Sequence, residues 1–337
     1  MHACPSEASI EWFLRGAGGD TSRAALAAHA DRCDECLELL AALAPDASVA
    51  PRELEPGDRI GRYTVLRSVG RGAMGEVFAA HDRELDRSVA IKVWTHDSPT
   101  RLLVEARGLA RVRDPHVVAL HDVGSDGGRV FAVMELVEGW TLGQWIALHR
   151  RGWREVLDVL RQAGRGLAAV HAERLVHRDV KPDNVLVGDD GRVRIVDFGL
   201  ARLVADTSDA SPPRSPTQPV HRFGSPRLSW PSRLTLTGAV IGTPAYMAPE
   251  QLRREPIDAR ADQYSFCVML WEALAGARPF PAKSLPELME ALRTRPPRAP
   301  ERADVPPAIW ATLRRGLAYE PSARFPDMTS LLAALAA

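Results

Sequence analysis

The sequence predicts an α+β chain in which a small β-rich lobe precedes a larger α-rich lobe, with a short helical module in front. Two observations carry the lobes. Short strand-like apolar runs fill residues 62–136, and after Gly139 the apolar spacing turns helical. A third observation marks the front module. Three of the four cysteines, Cys4, Cys33 and Cys36, fall within the first 36 residues.

Taken in order, residues 1–44 carry two helical patterns, near Ser6–Leu14 and Thr21–Leu43. Pro45 to Gly57 holds three prolines and several acidic residues, and residues 45–61 read as a linker. The smaller lobe, 62–136, has strand-like runs at Tyr63–Val69, Gly75–His81, Ser88–Trp94, Val118–Val123 and Val130–Leu136, with a short helix near Pro99–Arg111. The larger lobe, 137–337, opens with a helix from Trp153 to Glu173 that lines up Leu157, Leu160, Leu167 and His171. Asp262–Leu274 is apolar almost all round, as a helix in a lobe's centre should be. Cys267 lies within it as a buried small hydrophobe. Ser284-Leu-Pro-Glu287 has the form of a capping box opening another helix. One segment breaks the pattern. Asp206 to Arg233 contains six prolines and six serines with little periodicity, a composition that does not order itself.

At 337 residues and 45% apolar content, the chain can fill two or three compact cores. Its formal net charge is zero, so there is no general electrostatic case for nucleic acid or an anionic membrane as partner. No apolar run approaches the roughly 20 residues that span a bilayer, and no charged-then-apolar order marks a signal peptide. The expectation is a soluble, cytoplasmic protein. Cation usage is unusual. Of 43 lysines and arginines only Lys92, Lys181 and Lys283 are lysine. Two of these sit where phosphate chemistry calls for a compact ammonium rather than a planar guanidinium fork.

The densest chemistry lies in His177-Arg-Asp-Val-Lys-Pro-Asp-Asn184, followed thirteen residues on by Asp197-Phe-Gly199. The two stretches order a base (Asp179), a phosphate-binding lysine (Lys181) and two metal ligands (Asn184 and Asp197) as phosphoryl transfer from ATP requires. Gly70-Arg-Gly72-Ala-Met-Gly75-Glu-Val77 is a glycine-rich loop between two strand-like runs. Its missing side chains let backbone amides close over phosphates. Val89-Ala-Ile-Lys92 follows.

These motifs resemble those of eukaryotic-like bacterial serine/threonine protein kinases, over about Arg62 to Leu335. The resemblance implies the bilobal protein-kinase fold, with ATP and Mg2+ (or Mn2+) as cofactors and protein hydroxyls as acceptors. Lys92 is expected on the α- and β-phosphates, paired with Glu105 of the following helix. Asp179 orients the acceptor hydroxyl, and Lys181 reaches the migrating phosphate. Met134 precedes the linking strand, where backbone groups of Glu135 and Val137 would bind adenine beneath Val77 and Ala90. Thr243, in Gly242-Thr243-Pro-Ala-Tyr246, is expected to touch Asp179 and Lys181. Glu250, of Ala248-Pro-Glu250, should pair with Arg324, and Asp262 should hold the catalytic loop. Arg178 would receive a phosphorylated activation segment, with Thr235 and Thr237 as sites of autophosphorylation, or these threonines merely favour extended backbone.

His29-Ala-Asp-Arg-Cys33-Asp-Glu-Cys36 sets three ligand types on one helix face at i, i+4 and i+7. With Cys4 as fourth, they suit a tetrahedral zinc ion, and His2 is a weaker candidate. The module resembles the zinc-binding domain of bacterial anti-sigma factors, which often opens on a Cys-Pro pair such as Cys4-Pro5. A metal-free redox pair and incidental helix residues are the other readings. For the whole chain three functions stay open. One is an active kinase whose zinc module docks partners or regulates it. The others are a pseudokinase scaffold, and a kinase-regulated anti-sigma factor that sequesters a sigma factor.

Overall fold

The computed structural model describes residues 53–72, 75–94, 109–149, 151–197, 243–300 and 304–336. The unit from Glu55 onward holds both lobes. The smaller lobe is one antiparallel sheet in the order β1-β2-β3-β4-β6-β5. Its strands are β1 (Arg59–Ile60), β2 (Tyr63–Gly72), β3 (Gly75–Asp82), β4 (Arg87–Trp94), β5 (Leu120–Asp126) and β6 (Arg129–Glu135). β-branched and aromatic residues fill the inner positions. Val65, Phe78, Val89, Ile91 and Val133 are all at most 2% exposed, the pattern of a sheet packed on one face.

Two boundaries that differ from the sequence reading change what packs where. The first is the linker's end. Arg59 and Ile60, read as linker, pair with Thr64 and Tyr63 in the sheet. Gly61 makes that turn possible at a φ of 54°, a value glycine adopts without steric cost. The second is β5, which starts at Leu120 rather than Val118. Val117 bridges Ile195 and the Val118 N–H donates to the Ile195 carbonyl at 3.0 Å, so this pair joins the larger lobe. The helix expected near residues 99–111 lies outside the described residues except at its end.

The larger lobe contains α1 (Leu142–Leu148), α2 (Trp153–Ala172), a small sheet of β7 (Gly139–Thr141), β8 (Val185–Gly188) and β9 (Val193–Ile195), then α3 (Pro249–Leu252), α4 (Ala259–Ala275), α5 (Leu285–Thr294), α6 (Pro307–Gly316) and α7 (Met328–Ala334). Every residue from Ala261 to Trp271 is buried in α4. The helix stops where Gly276 turns left-handed, at φ 74°. Cys267 is fully buried, and burial pushes its thiol pKa up. Gly316 of α6 lies so close that a Cβ there would meet the Cys267 Sγ at 2.3 Å. The α5 cap forms in a shifted way. The Ser284 hydroxyl accepts the Glu287 N–H, but the Glu287 carboxylate accepts the N–H of Lys283, one residue before the cap.

The deepest polar contact is an ion pair. Arg324 and Glu250 have side chains 0% and 3% exposed, with nitrogen–oxygen distances of 2.7 and 2.8 Å. Arg324 also donates to the carbonyls of Arg260, Ala318 and Tyr319 and lies over the Tyr264 ring. Removing one partner of a pair this buried should cost about 3–5 kcal/mol, because the other charge stays buried and uncompensated. We predict that Glu250→Ala lowers the thermal midpoint by many degrees, measured by calorimetry. A near wild-type midpoint would refute the assignment.

Glycine is required at Gly75 by space as well as by torsion. Its φ is 139°, and a Cβ would lie 2.1 Å from the Val93 carbonyl oxygen. Gly70 differs, since a Cβ there would meet nothing within 4 Å. Gly75→Ala is therefore expected to cost roughly 1–3 kcal/mol of stability, the scale of local backbone strain. Gly70→Ala should stay close to wild type in the same denaturant titration. Equal midpoints for the two variants would contradict this reading of the hairpin.

Candidate active site

The site is built on the turn between α2 and β8. The Asp262 carboxylate, reaching out of α4, accepts the N–H groups of His177 and Arg178 at 2.7 Å each. It also bonds the His171 ring at 2.8 Å. The His177 ring in turn bonds the Val196 carbonyl and accepts the Asp179 N–H. Arg178 is thereby held left-handed at φ 67°, and Asp197 is left-handed at φ 59°. Such values are uncommon for non-glycine residues and persist only where neighbours enforce them.

This frame brings Asp179, Lys181 and Asn184 together. One oxygen of Asp179, Oδ2, lies 2.8 Å from Lys181 Nζ and accepts from the Asn184 amide at 3.1 Å. The Asn184 amide also donates to the Asp179 carbonyl at 2.8 Å. The other oxygen, Oδ1, is buried with no hydrogen-bond partner among the described residues. A buried carboxylate oxygen left unmatched costs free energy, so such an atom asks for a donor from elsewhere.

The facing wall comes from the smaller lobe. Lys92 on β4, 8% exposed, pairs with Asp197 at 2.8 Å, and its ammonium lies 5.6 Å from the centre of the Trp94 ring. Strand register sets Val77 opposite Lys92 and Ala90 opposite Met134. Behind Lys92 a small cavity is lined by Leu109, Val118, Leu120, Ala132 and Met134, with Asp197 at its rim. At the connecting segment Glu135 gives its N–H to the Ala119 carbonyl, at 2.9 Å. Its side chain meets Arg194 at 2.8 Å. Val137 makes no backbone hydrogen bond among the described residues.

Asp179, Lys181, Asn184, Lys92 and Asp197 thus share one cleft, with Gly70, Gly72 and Gly75 on the β2–β3 hairpin beside it. Glu105, Cys4, His29, Cys33, Cys36, His2, Thr235, Thr237 and the segment 206–233 lie outside the described residues. So does the Thr243 side chain, and the contacts expected of it are not described.

Two contacts at the cleft escaped the sequence reading. Gln251, next to Glu250, accepts the Ala248 N–H at 2.9 Å and donates its amide to the Arg178 carbonyl at 3.0 Å. Arg194 joins Glu135 to Asp190, and hydrogen bonds from Arg194 and from the Arg192 N–H hold the Asp190 carboxyl well below the usual range. The Arg194–Glu135 and Gln251–Arg178 contacts span long sequence separations, and no local spacing reports them. The one available signal was chemical: Arg194 is a lone cation in the apolar run Val193–Val196.

Residues 63–332 match the protein kinase domain. The serine/threonine-protein kinase PknL of Mycobacterium tuberculosis is 38% identical over 287 residues, which cover 82% of this chain and 65% of that protein. PknA of the same species is 35% identical over 280 residues, covering 79% of this chain and 58% of PknA. The chain thus spans under two thirds of the length of these relatives. Among solved structures, the kinase domain of M. tuberculosis PknI matches with a TM-score of 0.56 and 25% identity, covering 84% of this chain and 98% of that domain. No helix among the described residues is long and apolar enough to cross a membrane. By sequence match and by architecture alike, the chain belongs to the protein kinase family.

Proposed function

We propose that this chain is an ATP-dependent serine/threonine protein kinase, with Asp179 as the catalytic base. The observation that carries the reading is the pairing inside the cleft. Asp179 is held by Lys181 and Asn184, with its Oδ1 unpartnered among the described residues, and Lys92 pairs with Asp197. Family membership and the serine/threonine kinases among its relatives support it as well.

Lys92 would hold the α- and β-phosphates, and the hairpin at Gly70, Gly72 and Gly75 would cover them. The free backbone of Val137 suits the adenine edge. The Glu135 N–H does not, since Ala119 takes it. Asp179 Oδ1 would accept the hydrogen bond of a serine or threonine hydroxyl and then its proton, as the hydroxyl oxygen attacks the γ-phosphorus and the bond to ADP breaks. Lys181 would balance charge on the moving phosphoryl group. Asn184 and Asp197 offer the hard oxygen ligands that Mg2+ takes. The metal would neutralise charge on the phosphate oxygens. Glu105 remains the expected second partner of Lys92.

We predict that Lys92→Met and Asp179→Asn each lower phosphoryl transfer to a basic protein substrate by roughly 100- to 10,000-fold, the range that one positioned acid–base or binding group supplies. Both variants should keep a wild-type circular dichroism spectrum. Transfer at near wild-type rate in either one sinks the site assignment. Mapping phosphosites on the purified protein, beside Asp179→Asn, tests autophosphorylation at Thr235 or Thr237, where a phosphate would add about −1.5 to −2 charges for Arg178 to receive. Phosphate at those sites in Asp179→Asn would contradict self-modification.

The front module is proposed to hold one structural zinc through Cys4, His29, Cys33 and Cys36, and to dock a sigma factor or another regulatory protein in the cytoplasm. The H-x3-C-x2-C spacing supports it, and so does the small size of the unit, since metal binding would supply much of its folding free energy. Elemental analysis should find about one zinc per chain, lost in Cys33→Ser with Cys36→Ser. A metal-free fragment of residues 1–50 that is fully helical would favour a redox pair instead.

A further inference from the structure

The segment connecting the lobes is gripped from the larger lobe at three points, all on the β8–β9 hairpin. At one end, the Arg194 guanidinium bridges Glu135, the last residue of β6, and Asp190, at 2.8 Å from each. A second nitrogen of Arg194 donates to the other Asp190 oxygen at 3.1 Å. At the other end, the Asp189 N–H donates to the Glu138 carbonyl at 2.9 Å. Immediately after, Gly139 pairs with Gly188. A side chain is excluded at both glycines, at Gly139 by the β8 backbone and at Gly188 by the hairpin's own Asp190–Arg194 pair. A Cβ on Gly139 would meet the Val187 carbonyl at 2.2 Å, and one on Gly188 would meet Asp190 Oδ1 at 2.5 Å and Arg194 Nη1 at 3.0 Å. The hairpin turn is itself closed by the Gly188 and Gly191 amides, with Gly191 at φ 77°.

Val137 lies between these grips with no backbone hydrogen bond of its own among the described residues. Arg194 has a side chain only 5% exposed, yet it takes two carboxylates, those of Glu135 at 31% and Asp190 at 39% exposure. A guanidinium suits that geometry because its planar fork can serve both acids at once.

We propose that Arg194, through Glu135, is a positioning residue for nucleotide: it fixes the register of the connecting segment so that the Val137 backbone meets the adenine edge. This rests on the kinase reading of the cleft and adds to it which side chain of the larger lobe governs nucleotide affinity. Arg194 touches neither phosphate nor acceptor. Its loss therefore weakens nucleotide binding and leaves the transfer step at saturating ATP largely intact.

The test measures ADP binding to the full chain by isothermal titration in Mg2+, together with KM for ATP and kcat. Arg194→Met keeps the length and apolar stem without the charge. It should raise the ADP Kd and the KM for ATP about ten-fold while kcat stays within about two-fold, the effect of losing charge-assisted hydrogen bonds that orient a binding surface. Arg194→Lys should fall between, since a single ammonium serves one carboxylate better than two. Glu135→Gln keeps the Arg194–Asp190 pair, so the variant stays folded if Arg194→Met does not. It should raise the Kd about three-fold. In the double variant the two effects should be less than additive in free energy, because both report one contact. An unchanged Kd in Glu135→Gln, a loss confined to kcat, or full additivity overturns the proposal. Failure of the wild-type chain to bind ADP or ATP would instead overturn the kinase reading on which it rests.

Discussion

The catalytic loop hangs on one buried carboxylate. Asp262 is 1% exposed and takes three donors or ring contacts at 2.7–2.8 Å, two of them the consecutive amides of His177 and Arg178. A left-handed Arg178 costs about 1–3 kcal/mol of backbone strain. Each hydrogen bond to a charged acceptor contributes about 1.5–3 kcal/mol, so the pair outweighs the strain. The consequence reaches one residue further. With Arg178 left-handed, Asp179 turns toward Lys181 and Asn184 instead of following the chain. A single helix position of the core thus decides where the reactive carboxylate points.

That frame extends to the residues that follow the undescribed stretch before Thr243. Glu250 is locked to Arg324 in the core, and its neighbour Gln251 hands an amide to the Arg178 carbonyl. The segment 248–251 therefore touches at its carbonyl the same strained residue, Arg178, that Asp262 holds at its N–H. Movement of this segment would be felt first at Arg178. Ser265 of α4 adds a bond to the Tyr246 carbonyl at 2.7 Å, and Tyr246 reaches Glu272 of the same helix. So α4 supports both the loop that carries Asp179 and the turn at Thr243–Tyr246.

How much of this could be read in the sequence depends on how local each interaction is. The chemistry of 177–184 and 197 is legible because the residue types sit at fixed short spacing. The strands of the smaller lobe are legible because alternation reports a half-buried sheet. Val118 misled, since an apolar residue looks the same whether it extends β5 or turns away to meet Ile195. The cap of α5 shows a subtler limit. Ser284 and Glu287 had the right spacing, yet Glu287 accepts from Lys283, a choice set by the torsions entering the helix. Arg194 and Gln251 were illegible for a plainer reason. Their partners lie 59 and 73 residues away, and one sequence carries no record of such pairs.

The division of labour between cations ties these points together. Arg324 spreads its nitrogens over both Glu250 oxygens and three backbone carbonyls, and Arg194 spans two carboxylates. Both are fully engaged in holding backbone and acids in place, which suits a rigid fork. Lys92 and Lys181 are different in kind, compact ammonium groups that each reach an aspartate oxygen at 2.8 Å. An ammonium has three donors on a flexible stem, so Lys92 can keep Asp197 and still turn toward an incoming phosphate. In a chain that otherwise takes arginine, Lys92 stands where a cation must hold one partner and accept a second. Arginine at 92 would serve Asp197 but would offer an incoming phosphate a bulkier planar group in place of a compact ammonium. Lysine at 194 or 324 would leave an acid or a carbonyl unmatched in the interior. The two substitutions fail for opposite reasons, and the geometry of donors, rather than charge alone, separates the structural cations of this protein from the chemical ones.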